Sequence, residues 1–235
     1  MKNSIASTKL IPVISQTGEA GESSDSLFEH FGAIYIFCRE KLFRDDTSRM
    51  IRALWPKGSP EPGARAIELG CGPGFYSCRL AQEFPEISVV GVDSSARQLE
   101  WAEAKARANG INNCRFENDN VLDLSHADET FDRLVASRLF TVLQERQRAV
   151  AEMYRVLKPG GICFIAEPRH ELWASIPLFT MWLLAGVTRF GNGYREPRKA
   201  IVLSTSEFER LLGTQPWRVK TWQAGRYHYA ACEKY

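Results

Sequence analysis

The chain has 235 residues, 44% of them hydrophobic and 25% charged, which suits one α/β domain with a full core. The net charge is only +2, and the lysines and arginines form no dense stripe along the sequence. Both observations argue against a nucleic-acid partner. The six cysteines are scattered without a C-x-x-C pair, so we expect neither disulfides nor a metal site, and a cytoplasmic protein.

The N-terminal part is predicted to contain a tail and two helices. Residues 1–24 lack hydrophobic periodicity and end in Ser, Gly and Glu, which is typical of a mobile tail. Apolar residues then recur at helical spacing over 25–57, and the second helix stops before Pro56. We expect residues 25–235 to form a single domain.

Residues 64–93 predict a β-α-β unit with a glycine turn. The apolar run 66–69 is followed by a turn that contains Gly70, Gly72 and Gly74, and a helical pattern begins at Phe75. Glycines suit a turn that needs unusual backbone angles and lets a ligand approach the backbone. A second apolar run ends on Asp93, where an acid can accept hydrogen bonds from ribose hydroxyls. This unit predicts a nucleoside-containing ligand.

The spacing of the glycines indicates which nucleoside. The turn reads G-x-G-x-G instead of the dinucleotide G-x-G-x-x-G, and Pro73 removes a backbone donor that a pyrophosphate needs. Glu68 would repel phosphate but suits an ammonium group. The pattern resembles the class I methyltransferases that bind S-adenosylmethionine. A dinucleotide site and a glycine turn without a ligand are the alternatives.

Strands and helices continue to alternate along the chain. Further strands are predicted at 114–118, 133–137 and 162–166, with helices over 96–110 and from Glu145, so the sheet should be parallel with right-handed crossovers. A helix over 206–212 and a hairpin of 217–222 with 226–232 should complete the fold in the C-terminal segment 206–235.

A closer family resemblance follows from Phe131-Asp132, Ser137 and the run 153–161, MYRVLKPGG. These residues resemble the ubiquinone and menaquinone biosynthesis (type 11) methyltransferases over about 28–168, although the closing signature of the quinone enzymes is absent. The resemblance implies a Rossmann-like, doubly wound, seven-stranded sheet with an antiparallel last strand. It also implies N-terminal helices over 25–57, a cofactor-binding core over 64–168 and a lid insert over 169–205.

The expected cofactor is S-adenosyl-L-methionine. The residues expected to bind it lie in the glycine turn and at the ends of the first four strands: Glu68, Gly70, Gly72, Gly74, Asp93, Ser94, Asp119, Asn120 and Ser137. The adenine is expected beside Asp119 and Asn120, and the methionine ammonium beside Glu68.

The insert after the fifth strand suggests the kind of acceptor. Residues 172–187 carry no charge and contain Trp173, Phe179 and Trp182, but they are too few to span a bilayer. In the family that the chain resembles, such an insert caps the acceptor pocket, so we expect a small lipophilic or aromatic acceptor. A plain core helix is the alternative.

Catalytic candidates lie where the fourth and fifth strands end: Ser137, Arg138, Glu167, Arg169 and His170. His170 is the candidate general base because a histidine titrates near neutral pH, although a surface histidine is an alternative. Tyr35 is a catalytic candidate only because of the family resemblance, which implies a hydroxyl near the acceptor. Arg138 and Arg169 could hold an acceptor carboxylate or be solvated.

Other functions remain open at this point. A regulatory protein that binds S-adenosylmethionine without catalysis is one alternative, and an RNA methyltransferase is a weaker one. We expect a monomer or homodimer without nucleic acid and without stable membrane insertion.

Overall fold

The computed structural model describes residues 46–171, 174–175 and 200–235. Two elements precede the glycine turn, helix α1 (Thr47–Leu54) and strand β1 (Arg65–Leu69). The remaining helices are α2 (Phe75–Glu83), α3 (Ala96–Ala108), α4 (Arg146–Val156) and α5 (Thr205–Leu212). The remaining strands are β2 (Ser88–Asp93), β3 (Cys114–Asn118), β4 (Phe131–Ser137), β5 (Leu157–Pro168), β6 (Trp217–Ala224) and β7 (Tyr227–Lys234).

The strands form one seven-stranded sheet in the order β3-β2-β1-β4-β5-β7-β6. Strands β1 to β5 pair in parallel, whereas β7 is antiparallel to both β5 and β6. The order reverses at β1, so a switch point lies between β1 and β4, where ligands bind in open α/β sheets. The predicted fold class is therefore confirmed.

Apolar side chains cover both faces of the sheet. One face packs against α1, α2 and α3 through residues such as Leu54, Leu80 and Val135. The other face packs against α4 and α5 through residues such as Met153, Phe208 and Ile165. Because both faces of the central strands are covered, the buried residues of β1, β2 and β4 are mostly apolar.

Strand β5 starts earlier than predicted. The sequence predicted that residues 158–161 separate the helix from a strand at 162, but β5 begins at Leu157 and includes them. Leu157 pairs with Phe131 at this point, and the neighbouring Asp132 carboxylate accepts hydrogen bonds from Lys158 Nζ at 2.8 Å and from the Arg65 backbone N–H at 2.8 Å. This one side chain connects the beginnings of β1, β4 and β5.

The N-terminal helices are only partly described. Helix α1 corresponds to the second of the two predicted helices, and Asp46 at its start accepts a hydrogen bond from the Tyr229 hydroxyl at 2.7 Å. The predicted tail, the first helix and most of the lid insert lie outside the described residues.

Candidate cofactor and acceptor site

The predicted cofactor residues lie along the carboxyl ends of β1 to β4. The glycine turn connects β1 to α2 and contacts the end of β2, where the Cys71 N–H donates to the Val92 carbonyl at 2.9 Å. The segment after β3 contacts the same place, since the Asp119 N–H donates to the Asp93 carbonyl at 3.3 Å. Ser137 ends β4 and is buried, whereas Ser94 after β2 is exposed.

The glycine turn has the backbone conformation that the sequence predicted. Gly70, Gly72 and Gly74 have φ angles of 67°, 52° and 70°, in the left-handed region that favours glycine. Asp93 holds the turn, because its Oδ2 accepts the Gly72 N–H at 2.8 Å and its Oδ1 accepts the Ser95 N–H at 2.9 Å. A carboxylate can accept about four hydrogen bonds, so Asp93 retains capacity for a ligand hydroxyl.

Glu68 is a buried acid in β1 that caps the following helix. Its Oε2 accepts the Ser77 N–H at 2.7 Å and the Ser77 hydroxyl at 2.5 Å. Ser77 is the third residue of α2, so the carboxylate satisfies one of the backbone donors that a helix leaves open at its start. Glu68 therefore fixes α2 on β1, and its expected role toward the methionine end remains a prediction.

Gly91 and Phe116 complete the packing of the turn, and the sequence interpretation missed both. Gly91 lies beside Glu68 on β2, and a Cβ there would stand 2.6 Å from Phe116 Cδ1 and 3.0 Å from Cys71 Sγ. The same Phe116 ring would be 2.8 Å from a Cβ at Gly74. A glycine inside an apolar strand is the sequence signal for such a close approach.

Asp119 and Asn120 form a compact turn after β3. Asp119 Oδ2 accepts both the N–H and the hydroxyl of Ser125, at 2.9 and 2.8 Å, and its Oδ1 accepts the Asn120 N–H at 2.8 Å. Although burial raises the pKa of Asp119, these hydrogen bonds outweigh it and hold the pKa below its ordinary value. Three of the acceptor positions of the carboxylate are thus used within the turn, and one can still take the adenine amino group.

Arg138 begins the loop after β4 in an unusual backbone conformation. Its φ is 60°, a left-handed value that costs a residue with a side chain about 1–2 kcal/mol. The guanidinium donates to the Tyr227 hydroxyl at 3.1 Å and to the Ala174 carbonyl at 3.2 Å. Arg138 therefore connects the end of β4 and the start of β7 with the segment that follows β5.

The two ends of the predicted lid insert meet beside this loop. The Ala200 N–H donates to the Ser175 hydroxyl at 3.1 Å, and Ala174 and Ala200 are both fully buried next to Val142 and Val202. The chain thus leaves and returns at one position, next to the end of β4. The candidate base His170 is exposed, and its carbonyl accepts the Ala174 N–H at 3.0 Å, whereas Tyr35 lies outside the described residues.

Two paired residues near the carboxyl end of β5, Glu167 and His228, have shifted pKa values. Glu167, 3% exposed at the end of β5, has its pKa raised to about 7, mainly because burial disfavours the charged carboxylate. His228, its partner on β7, has a lowered pKa because of burial and then the positive charge of Arg169. The Glu167 carboxylate accepts a hydrogen bond from the Phe140 N–H at 2.9 Å.

These residues fit S-adenosylmethionine. Because the three glycines have no side chains, a ligand can approach the backbone of the turn closely. The acids Glu68, Asp93 and Asp119 suit a ligand with an ammonium group, a ribose and an adenine. Pro73 leaves the turn without the donor set of a pyrophosphate cradle.

A family model described as a methyltransferase domain matches residues 60–193. The chain belongs to this family, which confirms the predicted class I methyltransferase of the type 11 kind and its cofactor, S-adenosylmethionine.

Individual relatives agree with this assignment. The chain is 35% identical over 64% of its length to a trans-aconitate 2-methyltransferase of Deinococcus radiodurans, and the match covers 57% of that protein. It is 26% identical over 62% of its length to a demethylmenaquinone methyltransferase of Geobacillus kaustophilus, covering 60% of it. The chain thus spans little more than half the length of these relatives.

Solved structures show the same fold. A SAM-dependent methyltransferase from Aquifex aeolicus aligns with a TM-score of 0.62 at 18% identity, over 87% of this chain and 96% of that one.

Among the described residues, no helix has both the length and the apolar character needed to cross a membrane.

Proposed function

We propose that the protein is an enzyme that transfers a methyl group from S-adenosylmethionine to a small lipophilic or aromatic acceptor. One observation carries the proposal: the glycine turn, Asp93 and the segment after β3 are hydrogen-bonded together at the carboxyl edge of the sheet. When bound, S-adenosylmethionine supplies an electrophilic methyl group. Glu68, Asp93 and Asp119 would hold its ammonium, ribose and adenine groups, respectively.

The acceptor pocket would lie at the end of β4 and under the lid insert. The hydrogen bond between Ala200 and Ser175 supports this, since both ends of residues 176–199 stand beside the loop of Arg138. The apolar and aromatic sequence of the insert favours a lipophilic or planar acceptor. A lid there would orient the acceptor and exclude water, with His170 and Tyr35 as the groups expected to take a proton.

A carboxylate-bearing acceptor is the second candidate. The guanidinium of Arg138 is held at the edge where the acceptor is expected, and a planar guanidinium suits a carboxylate. The relative from Deinococcus radiodurans is, by its name, a trans-aconitate methyltransferase. A panel that contains aromatic phenols or quinols and small polycarboxylates separates the two candidates.

The test is methyl transfer to extracts from methyl-labelled S-adenosylmethionine, followed by identification of the labelled product. We expect a labelled small molecule, and much less label with an Asp93→Ala variant at the same concentration of S-adenosylmethionine. A protein that binds the cofactor but labels nothing in any extract would favour the regulatory alternative. Label in RNA would instead favour an RNA methyltransferase.

A further inference from the structure

Glu167 is a buried carboxylate outside the expected cofactor contacts. It stands near the end of β5, and its hydrogen-bond donor lies in the segment that follows β4. The Phe140 N–H donates to Oε1 at 2.9 Å. A buried acid that accepts a backbone N–H fixes the conformation of that backbone.

The segment 138–141 is a loop that needs this support. Arg138 begins it with a left-handed φ of 60°, and its N–H donates to the Ala166 carbonyl at 2.8 Å. Thr141 closes it, since its hydroxyl donates to the Arg138 carbonyl at 2.7 Å. Between these two residues, the Phe140 N–H is held by the Glu167 carboxylate.

The loop carries Leu139 against the cofactor-binding turn. Leu139 is 5% exposed, and its Cδ1 lies 2.9 Å from the position that a Cβ would take at Gly70. The side chain therefore packs directly on the bare backbone of the turn. Any shift of the loop moves the surface on which the turn rests, because packed contacts transmit displacement.

We propose that Glu167 is a positioning residue for S-adenosylmethionine. Its carboxylate holds the loop 138–141, and through Leu139 the loop holds Gly70 and the glycine turn in the conformation that binds the cofactor. The inference rests on the cofactor that defines the family and is independent of the acceptor in the proposed function.

Protonation of Glu167 should loosen this support. Other charged or titratable groups around it, within the described residues, are Arg138, Arg146, His228, Arg169 and His170. A protonated carboxyl is neutral and one of its oxygens becomes a hydroxyl, so its hydrogen bond with the Phe140 N–H loses the assistance of the negative charge. Because burial raises the pKa of Glu167 to about 7, cofactor affinity should fall as the pH falls through neutrality.

The experiment measures binding of S-adenosylhomocysteine by calorimetry between pH 6 and 8.5 for wild type and Glu167→Gln. The amide has nearly the shape of the acid but presents one acceptor and one donor, as the protonated acid does. We expect wild type to bind roughly five- to tenfold more weakly at pH 6 than at pH 8. The variant should bind at the weak level throughout. Glu86→Gln, in the exposed turn before β2, should behave like wild type.

Leu139→Ala tests the connection separately and serves if Glu167→Gln does not fold. It leaves the carboxylate and the Phe140 N–H in place but removes the contact with Gly70, so it should weaken binding and reduce its pH dependence. Wild-type affinity and pH profile in either folded variant would overturn the proposal. Failure of wild type to bind S-adenosylhomocysteine at any pH would instead contradict the cofactor itself.

Discussion

Asp93 connects the glycine turn to the end of β2 before any ligand binds. Its two oxygens each accept one backbone N–H, from Gly72 and from Ser95. From the sequence, Asp93 was predicted to bind the ribose hydroxyls. Its hydrogen bond with the Gly72 N–H adds a second role. The side chain therefore shapes the turn and offers the remaining lone pairs to the ligand.

Asp93→Ala should weaken binding of S-adenosylmethionine and S-adenosylhomocysteine by about 1.5–3 kcal/mol, because hydrogen bonds to a charged group are lost. Calorimetry measures the change. Asp123→Ala is the matched control, because the Asp123 side chain is 78% exposed and its ion pair with Arg148 is long at 3.9 Å. Equal affinities for the two variants would place the ribose contact elsewhere.

Glu68→Gln should lower both stability and cofactor affinity. The amide cannot serve the Ser77 N–H and hydroxyl as a charged carboxylate does, so we expect a loss of about 1–3 kcal/mol in the free energy of unfolding. Urea denaturation measures the stability and calorimetry the affinity. Glu103→Gln, an exposed acid, controls for the change of charge.

Ser77→Ala separates the two effects of Glu68. It removes the hydroxyl from the cap but keeps the acid, so its stability should fall while its cofactor affinity stays near wild type. If Glu68→Gln weakens binding no more than Ser77→Ala does, then Glu68 acts on the helix alone and does not face the methionine ammonium.

At the scale of elements, the sequence predicts what repeats locally and misses what depends on distant contacts. The glycine turn, the acid after β2 and the alternation of strands and helices are local patterns, and the structure confirms them. At the early start of β5, Leu157 pairs with Phe131, and the adjacent Asp132 binds Arg65 and Lys158, which lie far apart in sequence. No window of the sequence contains all three residues.

Gly91→Ala tests a packing requirement of this kind. The added methyl group would stand 2.6 Å from Phe116 Cδ1, so we expect a loss of about 1–3 kcal/mol in the free energy of unfolding. Urea denaturation measures it. Gly213→Ala is the control, because a Cβ there meets its nearest atom at 3.4 Å and should change stability by less than about 0.5 kcal/mol.

The shorter side chain in Phe116→Leu should recover part of the loss when combined with Gly91→Ala. A double-mutant cycle measures this coupling. Strictly additive effects would show that the ring is not the obstacle and that β2 tolerates or rejects the methyl group for another reason.

At the scale of the whole molecule, the candidate site divides into a predictable half and an unpredictable one. The cofactor half consists of short motifs at the ends of consecutive strands, so spacing together with the family resemblance is enough to predict it. The acceptor half combines the end of β4 and the start of β7 with both ends of the insert, and Arg138 meets Tyr227 only in the folded sheet. The role of Glu167 also depends on the fold, because its donor, the Phe140 N–H, belongs to the loop of a neighbouring strand.

The Glu167 carboxylate should also affect the pH dependence of stability. The folded protein keeps its proton up to about pH 7, whereas the unfolded chain releases it near the ordinary value of 4.5. The folded state therefore binds more protons between these values, and the contribution of Glu167 to the free energy of unfolding falls by roughly 3 kcal/mol as the pH rises across them. Glu167→Gln removes this loss.

Urea denaturation of wild type and Glu167→Gln between pH 4 and 8.5 measures the effect. Asp132 and Glu152 have lowered pKa values and His228 does as well, so these groups reduce stability as the pH falls, but they are common to both proteins and cancel in the difference. The stability of the variant relative to wild type should therefore rise from about pH 4.5 to 7 and then stay level. A difference that is constant with pH would mean that Glu167 has the same pKa in the folded and the unfolded protein. A rising difference would show that ionisation of Glu167 lowers the stability of the fold. Weak binding of S-adenosylhomocysteine by the variant at pH 8 would show that the same ionisation strengthens cofactor binding. A residue whose charge costs stability but favours the ligand serves the binding site.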